Sequence, residues 1–252
     1  MLLVSEISRQ PLPSAMRGAA RFVAVTSAEQ RQLVQLGLDP DSIRLVPNPI
    51  DLEEFSSPVV RGAFRARSGL GARALVLFLG KVTPRKRLDV LIRALAETRR
   101  TDATLAIAGN DMGGVTQARE LARSIGVGDR VLFTGLLRGR DRLEALADAD
   151  VVVYPSEQEI FGLVPLESLL VGTPVIVSDD SGCGEVIRSV GGGMVVPVGD
   201  VSALARATER VLDALERYRM EAGDAAVKVR SMFGADQVCG QLSAVYDELV
   251  RH

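Results

Sequence analysis

Two stretches carry residues able to do chemistry. EQEIFGLVPLES (157–168) holds the carboxylates Glu159 and Glu167, separated by an apolar run marked by Gly162 and Pro165. Paired carboxylates fit three arrangements: an acid/base pair, two contacts on one ligand, or charge at a loop and at a helix start. GKVTPRKRLD (80–89) holds Lys81, Arg85, Lys86 and Arg87 around Thr83-Pro84, and Lys81 and Lys86 are two of the chain's three lysines. Compact ammonium groups at a strand end and a helix start suit a diphosphate; a solvated basic turn is the alternative. Gly162 and Pro165 suit a helix start, where backbone N–H groups accept anions. There a glutamate at 167 also interacts favourably with the helix dipole. A third stretch, SDDSGCGEVI (178–187), reads as a Gly-rich loop carrying Asp179, Asp180 and Glu185 to the same rim. Cys183 within it reads as a space-filler, because no histidine is nearby to activate a thiol.

Positioning these loops requires a sheet. Six short apolar runs read as strands: 74–79, 103–108, 130–133, 150–154, 174–177 and 193–196. Their continuous apolar character, without alternation, predicts burial on both faces. Helical spacing falls between them, in RLDVLIRALAET, VTQARELARSIG and RDRLEALADA, and in VSALARATERVLDAL with Asp200 as N-cap. Strands alternating with helices predict an α/β fold, a doubly wound parallel six-stranded Rossmann-like sheet. In the order 3-2-1-4-5-6 the first and fourth strands are neighbours, and a crevice opens at their carboxyl ends. The basic loop and the glutamate loop would then face each other.

Residues 1–55 read differently. RFVAVTSAEQRQLVQLGL predicts a strand and a helix capped by Ser27, and SIRLVPNPID a further strand stopped by PNP. This is expected to be a short remnant of a second α/β domain plus a linker, followed by a main domain over 56–233. A C-terminal helix over 234–252 presents Val238, Leu242, Val245 and Leu249 on one stripe.

Composition narrows the function. A chain of 252 residues with 47% hydrophobic residues can bury a substantial core. A net charge of −2 and 4% aromatics give no basis for nucleic-acid binding. The single histidine, His252, is terminal and expected to be inert, so His-ligated zinc and an internal Ser-His-Asp triad are excluded. Neither GxxxxGK[ST] nor GxGxxG occurs, which argues against a nicotinamide-dependent dehydrogenase on this sheet. Cys183 and Cys239 form no CxxC pair, and a reducing compartment is the default. The N-terminal apolar run is too short for a signal peptide and no stretch is long enough to span a bilayer. The expected location is the cytoplasm, with peripheral contact at the inner face of the membrane left open.

Together these residues resemble the C-terminal half of GT-B glycosyltransferases of family 4, which are retaining and nucleotide-sugar-dependent. The resemblance runs from about Arg21 to about Tyr246. It rests on VPNPIDLEEF, FLGKVTPRKRLDVLIRAL, PSEQEIFGLVPLESLLVGTPVIVSD with its E-x7-E spacing, and GCGEVI followed by GGGMVVPVGD. It implies that Lys81, at the strand end beside donor-binding Gly80, and Lys86, at the helix start, bind the donor diphosphate and stabilise its departure. It implies that Glu159 contacts donor sugar hydroxyls and that Phe161, Gly162 and Leu163 offer backbone amides to sugar and phosphate. Glu167 would bind the ribose, and the base would pack near Gly135 and Leu136. No metal and no cofactor beyond the nucleotide-sugar substrate are implied. The sequence departs from the family in PNP for the usual Asn-Gly, in Lys81 where arginine is common, and in SGCGE. Most of the N-terminal domain is expected to be missing. A separate N-terminal half or a second copy of the chain is therefore an expected partner, beside an acceptor that is a lipid, a glycan or a small metabolite. The competing expectation is a non-catalytic nucleotide-sugar-binding subunit or an inactive truncated enzyme.

Overall fold

The computed structural model describes residues 18–180 and 182–250. The N-terminal apolar run over 1–14 and His252 lie outside the described residues. Two six-residue runs, β3 (Ala74–Leu79), wholly apolar, and β4 (Ala103–Ala108), apolar but for Thr104, are buried at every position. Both sheet faces are therefore covered, as continuous apolar strands require. Before them come β1 (Phe22–Ala24) and β2 (Ile43–Leu45), and after them β5 (Val131–Gly135), β6 (Val151–Tyr154), β7 (Val175–Asp179) and β8 (Gly193–Pro197). The main sheet has six strands in the order β5-β4-β3-β6-β7-β8, all parallel. Renumbered within the sheet this is the order 3-2-1-4-5-6, with β3 and β6 adjacent at the switch point.

Helices cover both faces: α3 (Leu88–Glu97), α4 (Val115–Ser124), α5 (Gly139–Asp148), α6 (Leu163–Leu170), α7 (Gly182–Val190), α8 (Val201–Asp213) and α9 (Leu215–Phe233). In α3, Leu88, Leu91, Ile92 and Leu95 form the buried stripe. Each such side chain contributes about 1.5–3 kcal/mol relative to exposure. Asp200 caps α8, its carboxylate accepting from Ala203 N at 2.8 Å.

The N-terminal part is a β-α-β piece: β1, α1 (Ser27–Gln35) and β2, with β1 and β2 paired in parallel. The cap of α1 is Thr26 and not Ser27. Its hydroxyl accepts from Glu29 N at 3.2 Å, while Ser27 is already helical. A short α2 (Ala63–Arg67) follows the linker, and α10 (Ala235–Val250) returns to the N-terminal piece, where Val238 and Val245 bury against Val46.

Residues 182–187 of the loop expected over 178–187 belong instead to the helix α7, which runs from Gly182 to Val190. Packing overrides the low helix propensity of its two glycines: a Cβ on Gly182 would lie 1.8 Å from Ile160 O. Glu185 is correspondingly not at the rim. Its carboxylate accepts from Ser27 N at 2.8 Å and Ala28 N at 3.1 Å, so it caps α1 and ties the N-terminal piece to the main domain.

Candidate donor site at the carboxyl ends of β3 and β6

The sheet brings the two predicted loops together by direct bonds. Glu157 N donates to Arg85 O at 2.8 Å, and the Arg85 guanidinium donates to Gln158 O at 2.8 Å. Arg87 pairs with Glu157 and with Asp89. Both Arg87 and Gln158 adopt positive φ, 49° and 53°, so each loop turns sharply where it meets the other.

Between the loops lies a cavity of about 500 Å³ lined by Gly80, Lys81, Lys86, Glu159 and the start of α6. Lys86 is largely buried. Its ammonium donates to Tyr154 OH at 2.5 Å and to Glu159 Oε2, and it sits 4.5 Å from the centroid of the Tyr154 ring. The Tyr154 hydroxyl in turn donates to Glu159 Oε2 at 3.1 Å. Lys81 is exposed on the same cavity.

Opposite stands the N-terminus of α6. Gly162, its N-cap, has φ 80°, and a Cβ there would also meet Cys183 Sγ at 2.6 Å. Glycine is required on both counts. Cys183 is buried and fills the space beneath this turn, and burial followed by the charge of Glu159 pushes its thiol well above the ordinary range. The Phe161 side chain is buried edge-on against Phe233, with centroids 5.4 Å apart, which fixes the backbone at the cavity wall. Leu163 also lines the cavity and is 41% exposed. The open helix end and the nearby ammonium groups together make the cavity suited to an anion.

Three strand ends form one rim. Gly80 N donates to Ala108 O at 2.9 Å, and Gly109 N donates to Gly135 O at 2.8 Å. A Cβ on Gly109 would lie 1.7 Å from Gly80 O, so only glycine permits this approach. Gly135 and half-exposed Leu136 lie along this rim and do not line the cavity.

Glu167 does not line it either. Its carboxylate pairs with Arg142 of α5, whose other nitrogen pairs with Glu54 of the linker. Burial holds the Glu167 carboxyl above its ordinary range, with Arg142 opposing and Glu54 reinforcing the shift. Three contributors escaped the sequence reading: Tyr154, Asn48 and Arg142. The tyrosine ends an apolar strand run, and its polar tip was the available signal. Asn48 lies between the two linker prolines and lines the cavity. Arg142 sits in an ordinary amphipathic helix pattern, and nothing in its spacing singles it out.

Comparisons with known proteins agree with this geometry. The family model described as Glycosyl transferases group 1 matches residues 61–228, and that of Glycosyltransferase Family 4 matches residues 4–54. The D-inositol 3-phosphate glycosyltransferase of Saccharomonospora viridis is 38% identical over 205 residues, covering 77% of this chain and 47% of the relative. The enzyme of that name from Xylanimonas cellulosilytica is 36% identical over 241 residues, covering 91% of this chain and 57% of the relative. The chain thus spans about half the length of the curated relatives it matches. Among solved structures, Anabaena Alr3699/HepE in complex with UDP and glucose superposes with a TM-score of 0.86 at 21% identity, covering 98% of this chain and 68% of that one. Sucrose-phosphate synthase from Thermosynechococcus elongatus gives 0.78 at 28% identity, covering 91% and 58%. The sheet, its switch-point cavity and these matches place the chain in the glycosyl transferases group 1 family.

Proposed function

We propose that this chain supplies the donor site of a retaining glycosyltransferase that takes its sugar from a UDP-, GDP- or ADP-sugar. The observation that carries the reading is the meeting of Lys86 and Glu159 in one cavity with the N-terminus of α6. The diphosphate would lie between Lys81, Lys86 and the backbone N–H groups of Gly162 and Leu163. Glu159 would accept from sugar hydroxyls, and its pairing with Lys86 would loosen as the phosphates draw the ammonium toward them. As the bond from sugar to diphosphate breaks, negative charge grows on the departing phosphate oxygens. Fixed cations and helix-end N–H groups stabilise that charge more than the ground state, which is the source of the rate gain. The acceptor would attack from the same face, giving retention. The base would pack along the rim at Gly135 and Leu136, and Glu167 would reach the ribose once released from Arg142. The relatives named as D-inositol 3-phosphate glycosyltransferases, and the neighbour that binds UDP and glucose, support a nucleotide-sugar donor. D-inositol 3-phosphate is the first acceptor to supply.

Calorimetric titration of the chain with UDP, GDP and ADP, with and without magnesium, tests the donor site. One of the three is expected to bind tightly without the metal. In the complete enzyme, Lys86→Ala is expected to lower turnover by at least about a hundredfold. Absence of binding by all three nucleotides, or unchanged turnover in the variant, rejects the reading. Binding without turnover in a complete assembly favours a non-catalytic nucleotide-sugar-binding role.

A further inference from the structure

Tyr154 stands at the end of β6, only 5% exposed, with its ring stacked on Phe78 at a centroid distance of 6.1 Å. The hydroxyl has one proton to give and one acceptor position used by a cation: it donates to Glu159 Oε2 at 3.1 Å and accepts from Lys86 Nζ at 2.5 Å. Burial, then the charge of Glu159, push the phenol well above its ordinary range, so it stays protonated and keeps both roles. The groups facing the trio come from separate elements. Lys81 comes from the loop after β3 and lines the same cavity, and Cys183, which feels the charges of Glu159 and Lys86, comes from α7. The trio is thus a built cluster with each member on its own backbone element.

We infer that Tyr154 is a positioning residue of the donor site, holding the Lys86 ammonium and the Glu159 carboxylate to a common point and remaining with the carboxylate when a diphosphate engages the lysine. The inference rests on the donor-site reading above and deepens it. A lysine paired to a carboxylate alone must give up its only counter-charge to bind phosphate. Here the carboxylate retains a neutral donor, so Glu159 stays oriented as an acceptor for sugar hydroxyls. The ring beneath the ammonium adds cation–π attraction, while the hydroxyl fixes where the ammonium sits against the ring. Tyr154→Phe isolates the hydroxyl, since the ring and its stack on Phe78 remain.

The chain has three lysines, Lys81, Lys86 and Lys228, so selective carbon-13 labelling of lysine ε positions gives a spectrum of three signals. One signal is expected to be displaced by the Tyr154 ring current and to vanish in Lys86→Arg. In Tyr154→Phe that displacement should partly collapse, because the ring stays while the anchor is gone. Affinity for the nucleoside diphosphate should fall about tenfold, as for a lost hydrogen bond to a charged group. A merely structural tyrosine would leave the lysine spectrum as it was. A Tyr154→Phe variant with the wild-type lysine spectrum and wild-type affinity overturns the inference alone. Failure of the wild-type chain to bind UDP, GDP or ADP takes down the donor reading and this inference together.

Discussion

The two ends of the sheet carry similar charged residues and use them in opposite ways. At the amino ends, Asp150 is buried and accepts from Arg65 at 2.7 Å, Arg219 at 2.9 Å and Leu75 N at 2.8 Å. Asp148 accepts from the N–H groups of Gly62 and Arg65 and so caps α2. Arg65 spends its remaining donors on carbonyls, with Asp148 O at 3.0 Å and Arg73 O at 2.6 Å. Arg65, Asp150 and Arg219 also line a cavity of about 450 Å³, but there both arginines are already held by the one carboxylate of Asp150. At the carboxyl ends, Lys86 and Glu159 meet across a cavity bounded by glycines, where backbone can approach a bound group. An ion pair built into packed structure is a staple, whereas one beside open backbone donors is a site.

The largest effect is expected at the amino ends. Asp150→Ala leaves Arg65 and Arg219 without their shared carboxylate and Leu75 N without its acceptor. Removing one partner of a buried pair costs about 3–5 kcal/mol. Urea unfolding should show that loss, while the folded fraction keeps its affinity for nucleoside diphosphate. A lowered affinity at full folding would mean the two ends are coupled and the contrast is false.

The next effect falls at the cavity. Gly162→Ala adds a Cβ at φ 80° against Cys183 Sγ at 2.6 Å. Left-handed strain and overpacking together are expected to cost about 1–3 kcal/mol and to weaken nucleotide binding by displacing the helix tip. The double variant Gly162→Ala/Cys183→Ala should recover the contact part and leave the backbone part. Full recovery would show that the positive φ is not needed.

The legibility of these features in the sequence follows the range of the forces involved. The strands are readable because burial on both faces writes nearly continuous apolar runs, as in ALVLFL and ATLAIA, while their order is expected only as the common arrangement of doubly wound sheets. The meeting of Lys86 with Glu159 followed from that order alone. Helix α7 is not legible because Gly182 packs against Ile160 and Thr26, contacts that the local sequence does not show. Glu185 was misplaced with it, since its partners on α1 are 157 and 158 residues distant in sequence. Helix α9 was not foreseen: its buried residues Tyr218, Ala222, Ala225, Val229 and Phe233 include two alanines, which mark a face only weakly. Arg142 could not be paired with Glu167 without knowing how α5 and α6 lie together.

The smallest expected effect concerns Glu167, which stands between the two classes: paired like the staple, yet on the site helix α6. Its carboxyl is held above the ordinary value chiefly by burial. Between the unfolded and the folded pKa the native chain therefore holds more protons than the unfolded chain, and stability falls as pH rises through that window. Glu167→Gln should remove this component. Unfolding midpoints of wild type and variant, compared over a pH series, should differ by an amount that changes across the window and levels off on either side. A constant difference would refute the shifted carboxyl. Repeating the series with saturating nucleoside diphosphate sharpens the distinction. If ribose hydroxyls donate to the carboxylate, they favour its charged form and lower its pKa, so the window narrows. A window indifferent to nucleotide would make the Arg142–Glu167 pair a staple that happens to lie on the site helix.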